Sequence, residues 1–169
     1  MIALANLSRS RWKNGLGTKA TIATGDGWSL SHAWIDRDSQ FSDFGGLDRT
    51  CVMLAGAGLT LTFEGGSAVD LPAPGTLQSF SGDWPAQARL HDGACHVLNV
   101  MTDRARSTHT VEVARFLPTA GYAVVLAGSV SCDGQVARFG DTVALPCDGE
   151  ASSDLVTVAV GLHAHHARS

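Results

Sequence analysis

Residues 50–66 read TCVMLAGAGLTLTFEGG. Leu59, Leu61 and Phe63 alternate with Thr60, Thr62 and Glu64, the period-two pattern of a strand with one buried face. Ahead of them Cys51 to Leu54 form a continuous apolar run, and Gly56 and Gly58 punctuate the break, so the stretch reads as two strands joined by a tight turn. The same grammar returns in GYAVVLAGSVSCDG, residues 121–134, where an apolar strand again runs into Leu-Ala-Gly before a second strand. The segments next in line match in kind too: VDLPAPGTLQSF, residues 69–80, and RFGDTVALP, residues 138–146, each supply a turn and a return strand. One β-unit present twice is implied, with too few copies and too long a period for a solenoid.

Composition agrees with a packed β protein. The 169 residues are 44% hydrophobic and 17% charged, which supports a buried core and argues against disorder. Nineteen glycines punctuate short segments rich in Val, Leu, Thr and Ala, as strands and turns require. A helical stripe is missing even from residues 101–116, MTDRARSTHTVEVARF, which read as a connector into a strand. The net charge of -4 comes without a basic face, so nucleic-acid binding is not expected. No run nears the roughly 20 apolar residues of a membrane span, and MIALANLSRSRW lacks the order of a signal peptide, so a cytoplasmic protein is expected. Cys51, Cys95, Cys132 and Cys147 are widely spaced without a CxxC and read as reduced, partly buried thiols, a structural disulfide being the alternative.

A duplicated antiparallel unit of this kind suggests all-β double-stranded β-helix barrels, the cupin architecture, in an internally duplicated bicupin. Many cupin enzymes hold a metal with a His-x-His pair, a carboxylate and a later His. Here no His-x-His lies between Phe44 and Glu64, and Gln78 stands where the later histidine is expected. An amide replaces imidazole poorly as a ligand, so neither metal nor cofactor is expected. The C-terminal HAHHARS, residues 163–169, reads as a flexible tail without groups to orient its rings. No nucleophile elbow is present. Asp36, Asp38 and Asp43 fall in what reads as a solvated loop, and Gly15-Leu16-Gly17 follows no strand and opens no helix, as a phosphate loop would.

The remaining polar signal is RWKNGLGTKA, residues 11–20, together with two partners. Lys13 and Arg49 are cations expected near a barrel mouth, and Asn14 and Asn99 can both donate and accept. Trp12, Trp28 and Trp34 could wall a pocket, although tryptophans in strands are commonly core. Glycines beside Lys13 and Asn14 would let backbone N–H groups approach a ligand.

Taken in order, Trp12-Lys13-Asn14-Gly15-Leu16-Gly17-Thr18, Phe41-Ser42-Asp43-Phe44-Gly45-Gly46-Leu47-Asp48-Arg49, Leu54-Ala55-Gly56 and Leu98-Asn99-Val100-Met101 resemble the signature blocks of the HutD/Ves family. The blocks extend over most of the chain. The resemblance implies a bicupin without a cupin metal and, for some bacterial members, an association with histidine utilisation. A role in sensing or buffering an intermediate such as urocanate or formylglutamate goes with it. The chain departs from the pattern at Leu16, where a glycine is usual, at Ala20-Thr21 in place of an Arg-Glu pair, at Gly45 in place of proline, and at Val97 in place of an acid. These changes remove charge from around the expected pocket.

The expected organisation is a first barrel over about residues 10–104 and a second over about 105–162, with N-terminal strands free to exchange between them. The expected function is non-enzymatic binding of a small carboxylate or amide metabolite, urocanate- or formylglutamate-like, by a regulator. Lys13 and Arg49 would pair with the carboxylate, Asn14, Gly15, Thr18, Asp48 and Asn99 would complete the site, and Trp12 would pack against the ligand. Two alternatives stand beside it: a metal-free enzyme with Asp48 or His32 as general base, and a structural module whose pocket its own side chains fill.

Overall fold

In the computed structural model the described residues are 1–12, 15–41 and 43–165. They form two compact units: residues 8–108 with 164–165, and residues 109–163 with 1–7. In the larger unit the strands are β1 (Ser10–Arg11), β2 (Gly17–Gly25), β3 (Trp28–Ile35), β4 (Ser39–Phe41), β5 (Leu47–Ala55), β6 (Leu59–Phe63), β7 (Ala68–Leu71), β8 (Leu77–Ser81), β9 (Ala86–Leu90) and β10 (Cys95–Asp103). They assemble into a sheet ordered β1-β2-β3-β10-β5-β8 and a second ordered β4-β9-β6-β7. Leu59, Leu61 and Phe63 turn inward on β6 as the alternation requires, meeting Ile35, Met53, Leu71, Phe80 and Val97 in one core.

The smaller unit holds a short 3-10 turn, Leu4–Asn6, and the strands β11 (Ser107–Ala114), β12 (Gly121–Ala127), β13 (Val130–Cys132), β14 (Gln135–Ala137), β15 (Thr142–Leu145), β16 (Gly149–Ala151) and β17 (Val156–Ala164). Its sheets run β11-β17-β12-β15 and β14-β13-β16. Ile2 adds a bridge to Thr142. The core here is small: Val125, Val130, Cys132, Ala137, Val143 and Leu155 fill it.

The duplication visible in the sequence is a duplication of pairing. β5 pairs with β8 and β10 while β6 pairs with β7 and β9; β12 pairs with β15 and β17 while β13 pairs with β14 and β16. Even single hydrogen bonds repeat. Met53 donates to Thr76 O and accepts from the Gly75 N–H, both at 2.9 Å; Val125 donates to Asp141 O at 3.0 Å and accepts from the Gly140 N–H at 2.8 Å. Gly75 and Gly140 take φ of 87° and 81°, which a side chain would strain, so glycine is required where each chain turns back.

Three expectations are corrected. Residues 101–116 are the end of β10, a turn and β11, because alternating Thr108, Thr110 and Glu112 suit a half-exposed strand. Cys132 and Cys147 are joined by a disulfide, their Cα atoms 6.2 Å apart, whereas Cys51 and Cys95 are free and buried thiols. Pairing of β13 with β16, which sets Cys132 opposite Gly149, brings the first pair together, and wide spacing along the chain concealed it. The C-terminal stretch begins as strand, since β17 runs to Ala164 and the His165 N–H donates to Arg106 O at 2.8 Å; residues 166–169 lie outside the described residues. Among the described residues no helix is long and apolar enough to cross a membrane.

Candidate functional site

The described residues of RWKNGLGTKA on either side of positions 13 and 14 pair as a hairpin. Arg11 pairs with Thr18, the Trp12 N–H donates to Gly17 O at 3.0 Å, and the Gly15 N–H donates back to Trp12 O at 2.9 Å. A Cβ on Gly17 would lie 2.5 Å from Trp34 O and 3.2 Å from the Trp12 ring, so the bare glycine lets the indole lie down against the strand. Trp12 then meets Phe41 edge-on, ring centroids 5.8 Å apart, and covers the larger core.

Beside Trp12 opens a cleft of about 620 Å³, within the usual range for a small-molecule site. Cross-strand register builds its wall, because residues directly opposed in an antiparallel sheet share a face. One row runs Thr21, Ser31, Asn99, Cys51 and the next runs Thr24, Ser29, Met101, Arg49, Phe80. Exposure falls along the first row, from exposed Thr21 through half-buried Ser31 to Asn99 at 6%. A staircase of hydroxyls thus descends to an amide.

Arg49 lies at the floor, 4% exposed. Its Nη2 is 3.5 Å from Asn99 Oδ1, and its Cζ lies 5.4, 4.9 and 5.0 Å from the ring centroids of Phe41, Phe44 and Phe80. Facing rings attract a cation and, when desolvated, supply on the order of 2 kcal/mol each at most. Burial pulls the guanidinium down to about 10, which leaves it fully charged at neutral pH. Burial also pushes the neighbouring Cys51 thiol up to about 12, so it stays neutral beside that charge. Exposed Lys19 and Arg11 add positive charge at the rim, and exposed Asp43 opposes it.

The structure therefore gathers Trp12, Arg49 and Asn99 at one cleft. Gly15 turns at φ 71° on the exposed hairpin. Thr18 is directed to the other face of the sheet, opposite Trp34. Asp48 faces away from the cleft as well, its Oδ1 accepting from Arg104 Nε at 2.8 Å. Lys13 and Asn14 lie outside the described residues.

His32 is fully buried on the face opposite Ser31, its Nδ1 2.9 Å from His96 Nε2. His96 stacks on Trp34 at 4.6 Å, and the Arg9 guanidinium lies 3.6 Å from the same indole's centroid. Burial, then His32 and Arg9, pull His96 down to about 3. Neither base proposed for an enzyme, Asp48 or His32, thus reaches the cleft. Trp28 lies against Gly25 across its hairpin, outside the cleft lining. Among the described residues no three His, Cys, Asp or Glu side chains gather to hold a metal ion.

Sequence reading missed Lys19, Thr21, Ser29, Ser31 and the phenylalanine collar. The signal was present: TKATIATG and WSLSHAWI alternate small hydroxylic residues with buried ones, which marks a polar face opposite the apolar one.

A protein from Pseudomonas putida described as an uncharacterized 21.2 kDa protein in the hutC 3′ region is 33% identical over 100 residues, covering 55% of this chain and 52% of that one. The chain thus spans about half the length of that curated relative. Two solved structures align over 98% of both chains: the conserved protein of unknown function PA5104 from Pseudomonas aeruginosa PAO1, at 26% identity and TM-score 0.81, and HutD from Pseudomonas fluorescens SBW25, at 25% and 0.78. Likeness of fold alone extends to a cupin 2 conserved barrel domain protein from Leptotrichia buccalis, at 7% identity and TM-score 0.60 over 98% of this chain and all of that one. The fold is accordingly an all-β, internally duplicated cupin. The HutD family model matches residues 4–144, and with most of its length covered the chain belongs to the HutD family.

Proposed function

We propose that the chain is a non-enzymatic binding protein of the cytoplasm that holds a small carboxylate metabolite in the cleft of its larger unit and serves as a regulator in histidine or amino-acid catabolism. The buried guanidinium of Arg49 carries this reading. A cation held at 4% exposure beside an amide and three phenyl rings, at the floor of a cleft, is placed to meet an entering carboxylate with charge-assisted hydrogen bonds. Asn99 can donate its amide N–H to the same ligand, and Ser31 and Thr21 can follow its polar edge towards the rim. Trp12 and Phe44 give a flat or aliphatic body something to lie against. The curated relative's place beside hutC and the likeness to HutD support the link to histidine utilisation.

Titration calorimetry of the purified chain with urocanate, formylglutamate and glutamate tests the reading. At least one should bind, and Arg49→Met should weaken it by roughly tenfold or more, since a hydrogen bond to a charged group contributes about 1.5–3 kcal/mol. No heat with any of the three, or an Arg49→Met protein that binds as tightly as wild type, would remove it.

A further inference from the structure

Arg104 stands in the turn after β10, outside the cleft lining, yet its contacts run through the segments that bound the mouth. Its Nε donates to Asp48 Oδ1 and its Nη1 to Asp83 Oδ2, each at 2.8 Å. Its Nη2 donates to Ser81 Oγ at 2.9 Å and to Leu47 O at 3.1 Å. The Arg104 backbone N–H adds a bond to Gly46 O at 3.1 Å, and the Gly46 N–H donates to Asp83 Oδ1 at 2.6 Å. Gly82 closes the weave: it accepts from the Phe44 N–H at 3.0 Å and donates to Leu47 O at 2.7 Å. Residues 43–48 are thus tied to the 81–83 turn by the backbone of Gly82 and, through side chains, by one guanidinium and one carboxylate.

An isolated exposed ion pair contributes little to stability. A guanidinium that satisfies two carboxylates, a hydroxyl and a carbonyl at once is different, because its rigid fork fixes all four acceptors relative to one another. The tied segment is the one that carries Phe44, whose ring centroid lies 4.9 Å from the Arg49 Cζ, and Asp43 at the rim. We infer that Arg104 is a positioning residue for the cleft: it fixes residues 43–48 so that Phe44 covers the Arg49 guanidinium and holds its aim. Asp48 belongs to this clamp rather than to the ligand shell. The inference rests on the proposed binding role for its effect on affinity alone; the covering of Arg49 is measurable without any ligand.

The test is the rate at which phenylglyoxal modifies Arg49 in the full chain, followed by peptide mass spectrometry, with amide exchange in β5 and β10 as the check on the fold. Arg104→Ala and Asp83→Asn should raise the rate at least about threefold while β10 exchange stays as in wild type. Arg104→Lys, which keeps the charge but not the fork, should fall between. Arg106→Ala, which removes the pair that Arg106 makes with Asp26 one turn away, should change nothing. Unchanged Arg49 reactivity in Arg104→Ala overturns the inference, and so does a rise matched by general loss of β10 protection, which would mean support of the fold as a whole. Should Arg104→Ala fail to fold, Asp83→Asn and Arg104→Lys decide by the same readout. If wild type binds urocanate, Arg104→Ala should release it about tenfold faster; unchanged release overturns the effect on affinity. If wild type binds none of the candidate ligands, the proposed function falls and the labelling result still decides the clamp.

Discussion

Arg49 of β5 and Asn99 of β10 face one another diagonally across adjacent strands, Nη2 3.5 Å from Oδ1. That geometry makes an unusual demand on position 99. Replacing Asn99 by Asp changes little in volume but sets a carboxylate against the guanidinium, where in partly buried surroundings it outcompetes an incoming anion. Asn99→Asp should therefore weaken carboxylate binding more than Asn99→Ala does, by about tenfold or more against wild type. Calorimetry on the two variants checks this, and equal losses would show that Asn99 acts by shape rather than charge.

Asp43 presents the opposite case. It lies exposed at the mouth among Arg11 and Lys19, and repels a carboxylate through solvent rather than through protein. Screening by salt keeps such an effect small. Asp43→Asn should tighten carboxylate binding by no more than about threefold at low salt, and the gain should vanish near 0.5 M salt. Association rates measured at two ionic strengths would reveal it.

The contrast between these two residues shows what the sequence could and could not disclose. The duplicated strand-turn-strand pattern at residues 50–66 and 121–134 exposes the architecture, because alternation and turn glycines are local signals. Arg49 and Asn99 stand out as a cation and an amide in strands with long apolar runs, and the cleft contains both. Thr18 and Asp48 suggest themselves for the site because they share sequence blocks with Trp12 and Arg49, but each adjoins a cleft residue in its strand, Lys19 and Arg49, and so turns to the opposite face. Lys19, Thr21, Ser29 and Ser31 escape notice for the converse reason: each is commonplace alone and meaningful once register brings it to the cleft wall. Arg104 could not be found from sequence at all, since the acceptors of its side chain lie between 21 and 57 residues away.

The buried imidazole of His96 should give the protein a particular acid sensitivity. Its pKa is pulled from 6.5 to about 3, so between those values an unfolded chain binds a proton that the folded one refuses. Stability must therefore fall as pH drops from about 6.5 towards 3, by about 1.4 kcal/mol per pH unit for this one group. Above 6.5 the group contributes no pH dependence. His96→Phe keeps a ring against Trp34 and should flatten the slope across that window, whatever its effect on absolute stability. Urea unfolding at several pH values measures the slope directly, and an unchanged slope in the variant would assign the acid sensitivity elsewhere.

The disulfide between Cys132 and Cys147 closes a loop with a separation of 15 residues, within a unit whose apolar core is small. Restricting an unfolded loop of that size stabilises the folded state by about 3 kcal/mol in the chain-entropy account. Reduction, or Cys147→Ser, should destabilise residues 109–163 by about 2–3 kcal/mol, and in a reducing compartment that lower stability is the relevant one. The cleft is lined by residues 11–101 and contains neither cysteine, so carboxylate affinity should be unchanged on reduction. Amide exchange in β12 and β13, read beside a binding titration with and without dithiothreitol, separates the two effects.

Gly17 offers the sharpest test of how the hairpin makes the cleft wall. A methyl group there would sit 2.5 Å from a backbone oxygen, Trp34 O, and 3.2 Å from the Trp12 ring, so to clear the oxygen it must press on the ring. The oxygen belongs to the centre of a six-stranded sheet and cannot retreat without loss of pairing, whereas the indole stands at its edge. Trp12 should therefore swing off Phe41 and open the cleft on that side. Gly17→Ala should cost about 1–3 kcal/mol of stability, the usual range for overpacking, and should red-shift the fluorescence of Trp12. Because Trp28, Trp34 and Trp84 also emit, the shift is best read in a protein with those three replaced by Phe. A Gly17→Ala chain with wild-type stability and an unshifted indole would mean that the strand, not the tryptophan, gives way.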